Sequence, residues 1–191
     1  MFLKTVAKQW PSSGHRTEKT RPEKMKTLYV MRHANAEQRG PDGTDFSRRL
    51  TPQGQAEARS QGEMMRDKGL LPDLIKCSAG ARALETAREV AQVLGRGTGT
   101  PELREDKRLY NAPGGDIYEV LRELEAGVAA PLVVAHMPGV AELVWALLKP
   151  DSEANGSFST ATVVQMELEI DSWDELKPGV GNLLLFAEPR S

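Results

Sequence analysis

The sequence predicts a three-layer α/β sandwich with a mainly parallel central sheet, and three observations support this. Strand-like segments alternate along the chain with helix-like segments. Residues 132–135, "LVVA", are continuously apolar, as expected of a parallel strand covered on both faces. Residues 81–95 carry an apolar stripe at three- and four-residue steps, which is typical of a helix packed on a sheet. In such domains, ligands bind beyond the carboxyl ends of the strands.

The predicted strands are short apolar runs bounded by turn or polar residues. The first, residues 27–31, is followed by a loop of glycine, proline and aspartate at 40–43. The stretch 102–110 has a poor pattern but holds a third strand in the predicted order. The complete set of predicted strands is 27–31, 73–77, a part of 102–110, 132–135, 160–170 and 182–187.

The predicted helices begin at capping or proline signals. Thr51 caps the first helix and Pro52 fits its first turn, and the helix is expected to end at Gly69. The other helices are predicted from Ser78 or Gly80 to residue 95, over 116–125, and from Pro138 to residue 148.

Composition and charge limit the possible functions. A chain of 191 residues suits one domain, and a net charge of −2 gives no basis for nucleic-acid binding. The single cysteine, Cys77, excludes an internal disulfide and predicts a cytoplasmic protein. No apolar run approaches the roughly 18 residues of a membrane span, so no membrane partner is expected. Residues 1–24 are basic and lack an apolar pattern. We therefore expect them to be a disordered extension, which leaves 25–191 as the domain.

Histidines and arginines stand directly after the predicted buried strands. The chain has three histidines, and two of them, His33 and His136, follow the apolar runs "LYVM" and "LVVA". Arg32 adjoins His33, and Arg82 lies one helical turn beyond the end of the second strand. Because parallel strands end at the same edge of a sheet, two imidazoles and two guanidiniums are expected at one rim.

Such a cluster suits the handling of phosphate. A guanidinium presents a fixed fork of donors that matches phosphate oxygens. Neighbouring cations lower the pKa of an imidazole, and a neutral imidazole nitrogen can attack phosphorus to form a covalent phosphohistidine. A second imidazole, if protonated, can neutralise charge on the transferring group. This chemistry requires no metal or other cofactor, and we expect none.

Each of these residues could also have a role unrelated to phosphate. A histidine at a strand end is often only a hydrogen-bonded structural residue. A histidine pair can bind a metal, although neither a His-x-x-x-His spacing nor a second cysteine supports a metal site here. Arg82 alone would be a solvated helix residue, and Arg48 with Arg49 a pair of loop charges. Taken alone, the residue types leave both a phosphate site and these simpler roles open.

Four motifs in order resemble the histidine phosphatase superfamily, which includes the phosphoglycerate mutases. "MRHANAE" is similar to its Arg-His-Gly signature, and "DFSRRLTPQGQAEA" to its Arg-x-Leu-Thr-x-x-Gly segment. "CSAGARALETA" resembles Ser-x-x-x-Arg-Ala-x-x-Thr-Ala, and "VVAHMPGV" resembles the strand of the second histidine. The short length and "AHMPGV" are closest to the SixA subfamily of small phosphohistidine phosphatases. The likeness covers about residues 26 to 148 and implies a phosphoglycerate mutase-like fold.

The resemblance implies a role for each matching residue of the strand ends. His33 would be the nucleophile that becomes phosphorylated. Arg32 and Arg82 would bind the phosphoryl oxygens. His136 would complete the pocket and donate a hydrogen bond to a non-bridging oxygen.

Two further positions match the family, and one departs from it. Arg48, the first residue of Arg-x-Leu-Thr, is a candidate for phosphate binding. Ser78 is expected to orient the loop or to contact phosphate, and the alternative is that it caps the second helix. The residue after the nucleophile is glycine in the family and Ala34 in this chain. A small residue there keeps the backbone close to the site, and alanine is tolerated unless φ must be positive.

A second departure concerns the acid that protonates the leaving group. Family members that hydrolyse phosphate esters carry a Glu or Asp after the third strand, because an alkoxide leaves poorly without a proton. Residues 110–112 include no acid, and the next one is Asp116, so Asp45 or Glu37 would have to supply the proton. Phosphohistidine releases imidazole, which leaves more readily. The missing acid therefore favours a phosphoramidate substrate.

These observations predict a metal-independent phosphatase that acts through phospho-His33 on phosphohistidine in a partner protein. A short stretch between Leu109 and Asp116 leaves no room for a large lid, which favours an open pocket. The alternatives are a phosphomonoesterase acting on a small phosphorylated molecule, and a phosphate-binding regulatory module without catalysis.

Overall fold

The structure is a computed structural model that describes residues 25–96, 99–150, 152 and 157–189. The N-terminal extension expected at residues 1–24 lies outside the described residues. Within them, helices cover both faces of one six-stranded sheet, so the predicted α/β class is confirmed. None of the helices in these ranges is long and apolar enough to cross a membrane.

The sheet is mostly parallel and places the first strand near its centre. Its strands are β1 Lys26–Arg32, β2 Leu74–Ser78, β3 Glu102–Asp106, β4 Pro131–Ala135, β5 Val163–Leu168 and β6 Gly181–Ala187. They lie in the order β3-β2-β4-β1-β5-β6. Strands β1 to β4 run parallel, β5 is antiparallel to β1, and β6 is antiparallel to β5. The carboxyl ends of β1, β2 and β4 therefore meet at one edge.

The helices form two layers around this sheet. They are α1 Pro52–Asp67, α2 Ala81–Leu94, α3 Gly114–Arg122 and α4 Gly139–Leu147, with short 3-10 helices at Lys107–Leu109 and Trp173–Glu175. Alternate residues of β1 face opposite layers: Leu28 and Val30 join the core under α3 and α4, whereas Tyr29 and Met31 join the core under α1 and α2. Burial on both faces fixes β1, and with it the residues at its carboxyl end.

Several predicted boundaries differ from the observed ones by two or three residues. Helix α3 begins at Gly114 rather than at residue 116, because the Glu142 carboxylate of α4 accepts a hydrogen bond from its first amide at 2.8 Å. It also ends at Arg122, three residues before the predicted end. Strand β5 begins at Val163 rather than at residue 160. Ala161 has a left-handed backbone, with φ of 58°, so the extended conformation of the strand starts only after it.

The start of α1 is held against the loop that follows β1. Thr51 caps the helix as predicted, accepting from the Gly54 amide at 3.0 Å, and its hydroxyl also donates to the Asn35 side chain at 2.8 Å. A Cβ at position 54 would lie 1.9 Å from the Asn35 carbonyl oxygen, so only glycine fits. This close approach fixes the backbone two residues after His33.

Candidate active site

The two histidines predicted at the sheet edge face each other. His33 follows β1 and His136 follows β4, and the two strands pair directly, with Arg32 opposite Ala135. Their ring centroids are 5.1 Å apart, with an angle of 57° between the planes. Parallel pairing of neighbouring strands thus brings residues about a hundred positions apart in sequence into one site.

His33 is held in a defined tautomer. Its Nδ1 lies 2.8 Å from the carbonyl oxygen of Ala34. Since a carbonyl can only accept, Nδ1 carries the proton, and Nε2 of the neutral ring keeps its lone pair. The Arg82 Nε–H donates to that lone pair at 3.2 Å. The nitrogen able to attack an electrophile therefore points at the cationic side of the site.

Arg82 is buried, with an exposed fraction of 4%, and its guanidinium is fixed on several sides. One terminal nitrogen donates to the backbone carbonyl of Asp45 at 2.8 Å. The other donates to the Asp45 carboxylate at 3.1 Å and to the Asn111 side chain at 3.1 Å. A fork held this firmly keeps the direction of its donors.

His136 is also buried and has a hydroxyl as its partner. Its Nε2 lies 2.8 Å from the Ser78 Oγ, at the end of β2. Its Nδ1 is buried without a hydrogen-bond partner among the described residues. The Tyr110 ring meets the imidazole edge-on, with centroids 5.6 Å apart. Ser78 does not cap α2, because Gly80 is the residue that precedes the first turn, so that alternative for Ser78 was wrong.

Two further arginines stand around the pair of imidazoles. Arg32 donates to the backbone carbonyl of Phe158 at 2.6 Å, and its Nε is buried without a partner among the described residues. Arg48 donates to the carbonyl of Glu37 at 2.5 Å and to the Asp45 carboxylate at 2.8 Å. Both positive charges depress the pKa of His33, so the structure brings all the predicted arginines to the site.

Both imidazoles are neutral at pH 7. Burial, together with the positive charges of Arg82, Arg32 and Arg48, lowers the pKa of His33 to about 4, against the opposing effect of its hydrogen bond to Ala34. Burial and the neighbouring His33 and Arg82 lower the pKa of His136 to about 3. At neutral pH His33 therefore keeps an unprotonated lone pair on Nε2, and this lone pair can attack once the Arg82 Nε–H releases it.

This neutrality leads to a prediction for the pH titration of the two rings. The proton-NMR signals of His33 and His136 should titrate with midpoints well below the ordinary pKa of 6.5, because the protonated rings would be buried beside arginines. Histidine-to-alanine variants at 33 and 136 assign the signals. A midpoint near 6.5 for His33 in the folded protein would contradict the geometry described above.

Asp45, one of the two residues that could supply the proton for the leaving group, lies at the site but is ionised. The Asp45 carboxylate accepts from the Tyr110 hydroxyl at 2.6 Å and from Arg48 and Arg82 at 2.8 and 3.1 Å. These donors hold the pKa of Asp45 well below its usual range. Glu37 contributes its backbone carbonyl to Arg48, and its side chain is exposed. A carboxylate that is already ionised has no proton to give to a leaving group.

Thr86 links the nucleophile to Arg82, and the sequence patterns assigned it no role. Its buried hydroxyl accepts from the Ala34 amide at 3.0 Å and donates to the Arg82 backbone carbonyl at 2.7 Å. Both polar backbone atoms of Ala34 are therefore engaged, the oxygen by His33 Nδ1 and the amide by Thr86. Thr86 lies in the motif "CSAGARALETA", but only the fold shows that its hydroxyl accepts from the Ala34 amide.

The side chains of the site do not form a metal-binding set. Within the described ranges, no group of three or more His, Cys, Asp or Glu side chains is arranged to hold a metal ion. The cluster of imidazoles and guanidiniums is instead a cationic and polar pocket, which suits a small anion such as a phosphoryl group.

This fold and this cluster together define the class of protein. The family description "Histidine phosphatase superfamily (branch 1)" matches residues 28–132, more than half of the chain of 191 residues. The chain therefore belongs to the histidine phosphatase superfamily, and the resemblance seen in the sequence motifs is confirmed.

Individual relatives agree with this assignment. An uncharacterized protein of Mycobacterium tuberculosis is 29% identical over 168 residues, which cover 84% of this chain and 100% of the relative. A chain named SixA from Nakamurella multipartitia superimposes with a TM-score of 0.76 and 24% identity, over 87% of this chain and 98% of that one. The protein histidine phosphatase SixA in complex with tungstate gives 0.69 and 25%, over 85% and 97%.

One solved structure is of a phosphatase named for a small-molecule substrate, and it is less similar to this chain in sequence and fold. The mycobacterial glucosyl-3-phosphoglycerate phosphatase superimposes with a TM-score of 0.61 and 18% identity, over 86% of this chain and 100% of that one. At this identity the likeness concerns the fold alone.

Proposed function

We propose that this phosphatase removes phosphate from phosphohistidine in a partner protein, through a covalent phospho-His33 intermediate. One observation carries the proposal. The His33 ring is anchored through Nδ1 to the Ala34 carbonyl, so that its Nε2 lone pair lies beside the Arg82 guanidinium. A fixed, neutral nucleophile next to donors for the phosphoryl oxygens is the arrangement that in-line transfer requires.

The two chemical steps follow from this arrangement. In the first, His33 Nε2 attacks phosphorus, the bond from phosphorus to the substrate nitrogen breaks, and phospho-His33 keeps its Nδ1–H on the Ala34 carbonyl. In the second, water attacks phosphorus, the bond to Nε2 breaks, and the water proton leaves with inorganic phosphate in solution. Arg82 and Arg32 offset the negative charge of the phosphoryl oxygens in both steps.

The state of Asp45 supports a phosphoramidate substrate. A phosphohistidine ring can already carry a proton on its second nitrogen, so it departs as neutral imidazole without an acid from the enzyme. An ester releases an alkoxide and needs that acid. Because Tyr110, Arg48 and Arg82 keep Asp45 ionised, this carboxylate is unsuited to that task. The SixA chains among the structural neighbours also favour this substrate class.

The shape of the chain near the site favours a substrate on another protein. Residues 110–113 alone connect the 3-10 helix Lys107–Leu109 to α3, so no lid is inserted there. Two apolar side chains adjacent to site residues are exposed, namely Phe46 beside Asp45 and Met137 beside His136. Contact with a protein surface would bury both side chains.

The test is a panel of substrates at equal concentration. It compares a phosphohistidine peptide, phosphoramidate, a sugar phosphate and 4-nitrophenyl phosphate, with phosphate release as the measurement. We expect the two P–N substrates to react and the sugar phosphate to react more slowly by orders of magnitude. The phenolate of 4-nitrophenyl phosphate leaves without a proton, so this ester should also react and serves as a control for the nucleophile. Faster turnover of the sugar phosphate would establish the alternative, a small-molecule phosphomonoesterase. A similar fold is found in the glucosyl-3-phosphoglycerate phosphatase, which is named for a substrate of that kind. Binding of phosphate without turnover of any substrate would establish the regulatory module.

Metal removal gives an independent prediction. Turnover should be unchanged after treatment with EDTA, because His33 itself is the nucleophile and arginines supply the positive charge that a metal would otherwise provide. Activity that is lost in EDTA and restored by a divalent cation would contradict this mechanism.

A further inference from the structure

Ser78 is fully buried, and its hydroxyl contacts a site residue. It is the last residue of β2, and its exposed fraction is 0%. Its hydroxyl has two hydrogen-bond partners among the described residues: the Gly80 amide at 3.2 Å and the His136 Nε2 at 2.8 Å.

The direction of these two hydrogen bonds follows from their chemistry. The Gly80 amide can only donate, so the Ser78 oxygen accepts there. The hydrogen of the hydroxyl then has one acceptor within the described part of the chain, which is the His136 Nε2. If Nε2 were protonated, the Ser78 oxygen would accept twice and its own buried hydrogen would be left without a partner, which is unfavourable.

The proton of the neutral His136 ring therefore stands on Nδ1. That nitrogen is the buried atom without a partner in the described residues, on a ring whose centroid is 5.1 Å from that of His33. A buried N–H without an acceptor is costly, and an anion bound between the two imidazoles would supply the acceptor.

We propose that Ser78 is a positioning residue that sets the tautomer of His136, so that this ring donates Nδ1–H to the phosphoryl group as a neutral imidazole. The part concerning the phosphoryl group rests on the proposed function, whereas the tautomer does not. A doubly protonated His136 would remove the acceptor of the Ser78 hydroxyl. The neutral donor thus replaces the protonated second imidazole considered from the sequence.

The tautomer can be measured directly by long-range ¹H–¹⁵N NMR of the uniformly labelled protein at pH 7.5. In the wild type, the His136 Nδ1 should show the shift of a protonated nitrogen and Nε2 that of an unprotonated one. Ser78→Ala should raise the population of the Nε2–H form, and Ser78→Thr, which keeps the hydroxyl, should restore the original pattern. The control Ser60→Ala, on α1, should leave the His136 signals in place.

A second measurement is titration with inorganic phosphate. We expect phosphate to shift the His136 Nδ1–H signal in the wild type, and Ser78→Ala to weaken phosphate binding roughly tenfold, the usual scale for one hydrogen bond to a charged group. A wild-type His136 protonated on Nε2 would overturn the inference, whether or not the variants fold. If the Nδ1–H form is found in a protein that hydrolyses no phosphohistidine, the role of Ser78 in setting the tautomer stands, and the proposed function fails together with the donation to the phosphoryl group.

Discussion

His33→Ala should abolish turnover of phosphohistidine, with a loss of roughly 10⁶-fold, the scale on which enzymes respond to removal of a covalent nucleophile. The reason is structural: the His33 Nε2 offers an unprotonated lone pair that is directed at the Arg82 guanidinium. On the neighbouring ring, the Nε2 lone pair of His136 lies against the fully buried Ser78 hydroxyl rather than against a guanidinium that can bind phosphoryl oxygens. We therefore expect that imidazole not to replace the nucleophile.

The measurement is incorporation of ³²P from a labelled substrate into acid-sensitive, base-stable phosphoprotein after rapid quenching. Wild-type protein should be labelled and His33→Ala should not. His15→Ala, the same substitution at the third histidine of the chain, is the matched control. Label that appears on the His33→Ala protein at the wild-type rate would place the nucleophile elsewhere. Turnover without any label on the wild type would favour direct attack by water.

The sequence predicted the parts of the site that depend on strand ends. His33 and His136 were found because each follows a continuous apolar run, and such a run in an α/β chain is a central parallel strand. Once β1 and β4 are neighbours, the distance between the two rings is set by the spacing of parallel strands and by the rotamers. Local patterns suffice for that prediction.

The rest of the site depends on contacts between segments with no common local signal. Asp45, which lies in a loop, meets Tyr110 and Asn111 from another loop, 65 and 66 residues later. Neither loop has a sequence periodicity from which the contact could be predicted. The same is true of α3, whose first turn is completed by Glu142 of α4 rather than by a capping residue of its own. Tertiary packing decides such pairs.

Arg82→Ala should lower turnover by roughly 100- to 1,000-fold, the loss expected when one preorganised donor to a developing charge is removed. The loss should fall mainly on kcat. The guanidinium is 4% exposed and held by Asp45 and Asn111, so its direction is fixed before substrate arrives and it costs little reorganisation in the transition state. Arg82→Lys should recover only a part of the rate, since an ammonium is a single point charge and cannot bind both His33 and Asp45.

The quenched ³²P experiment separates this variant from the loss of the nucleophile. Arg82→Ala retains His33, so it should still become labelled, but slowly. Arg88→Ala is the matched control, because Arg88 lies on the same helix, with 63% of its side chain exposed and a weak ion pair to Glu105 at 3.8 Å. It should change the rate by no more than about twofold, as exposed ion pairs contribute little. If folded Arg82→Ala kept its rate within about tenfold of the wild type, the guanidinium would be a structural partner of Asp45 and not a group that binds the phosphoryl oxygens.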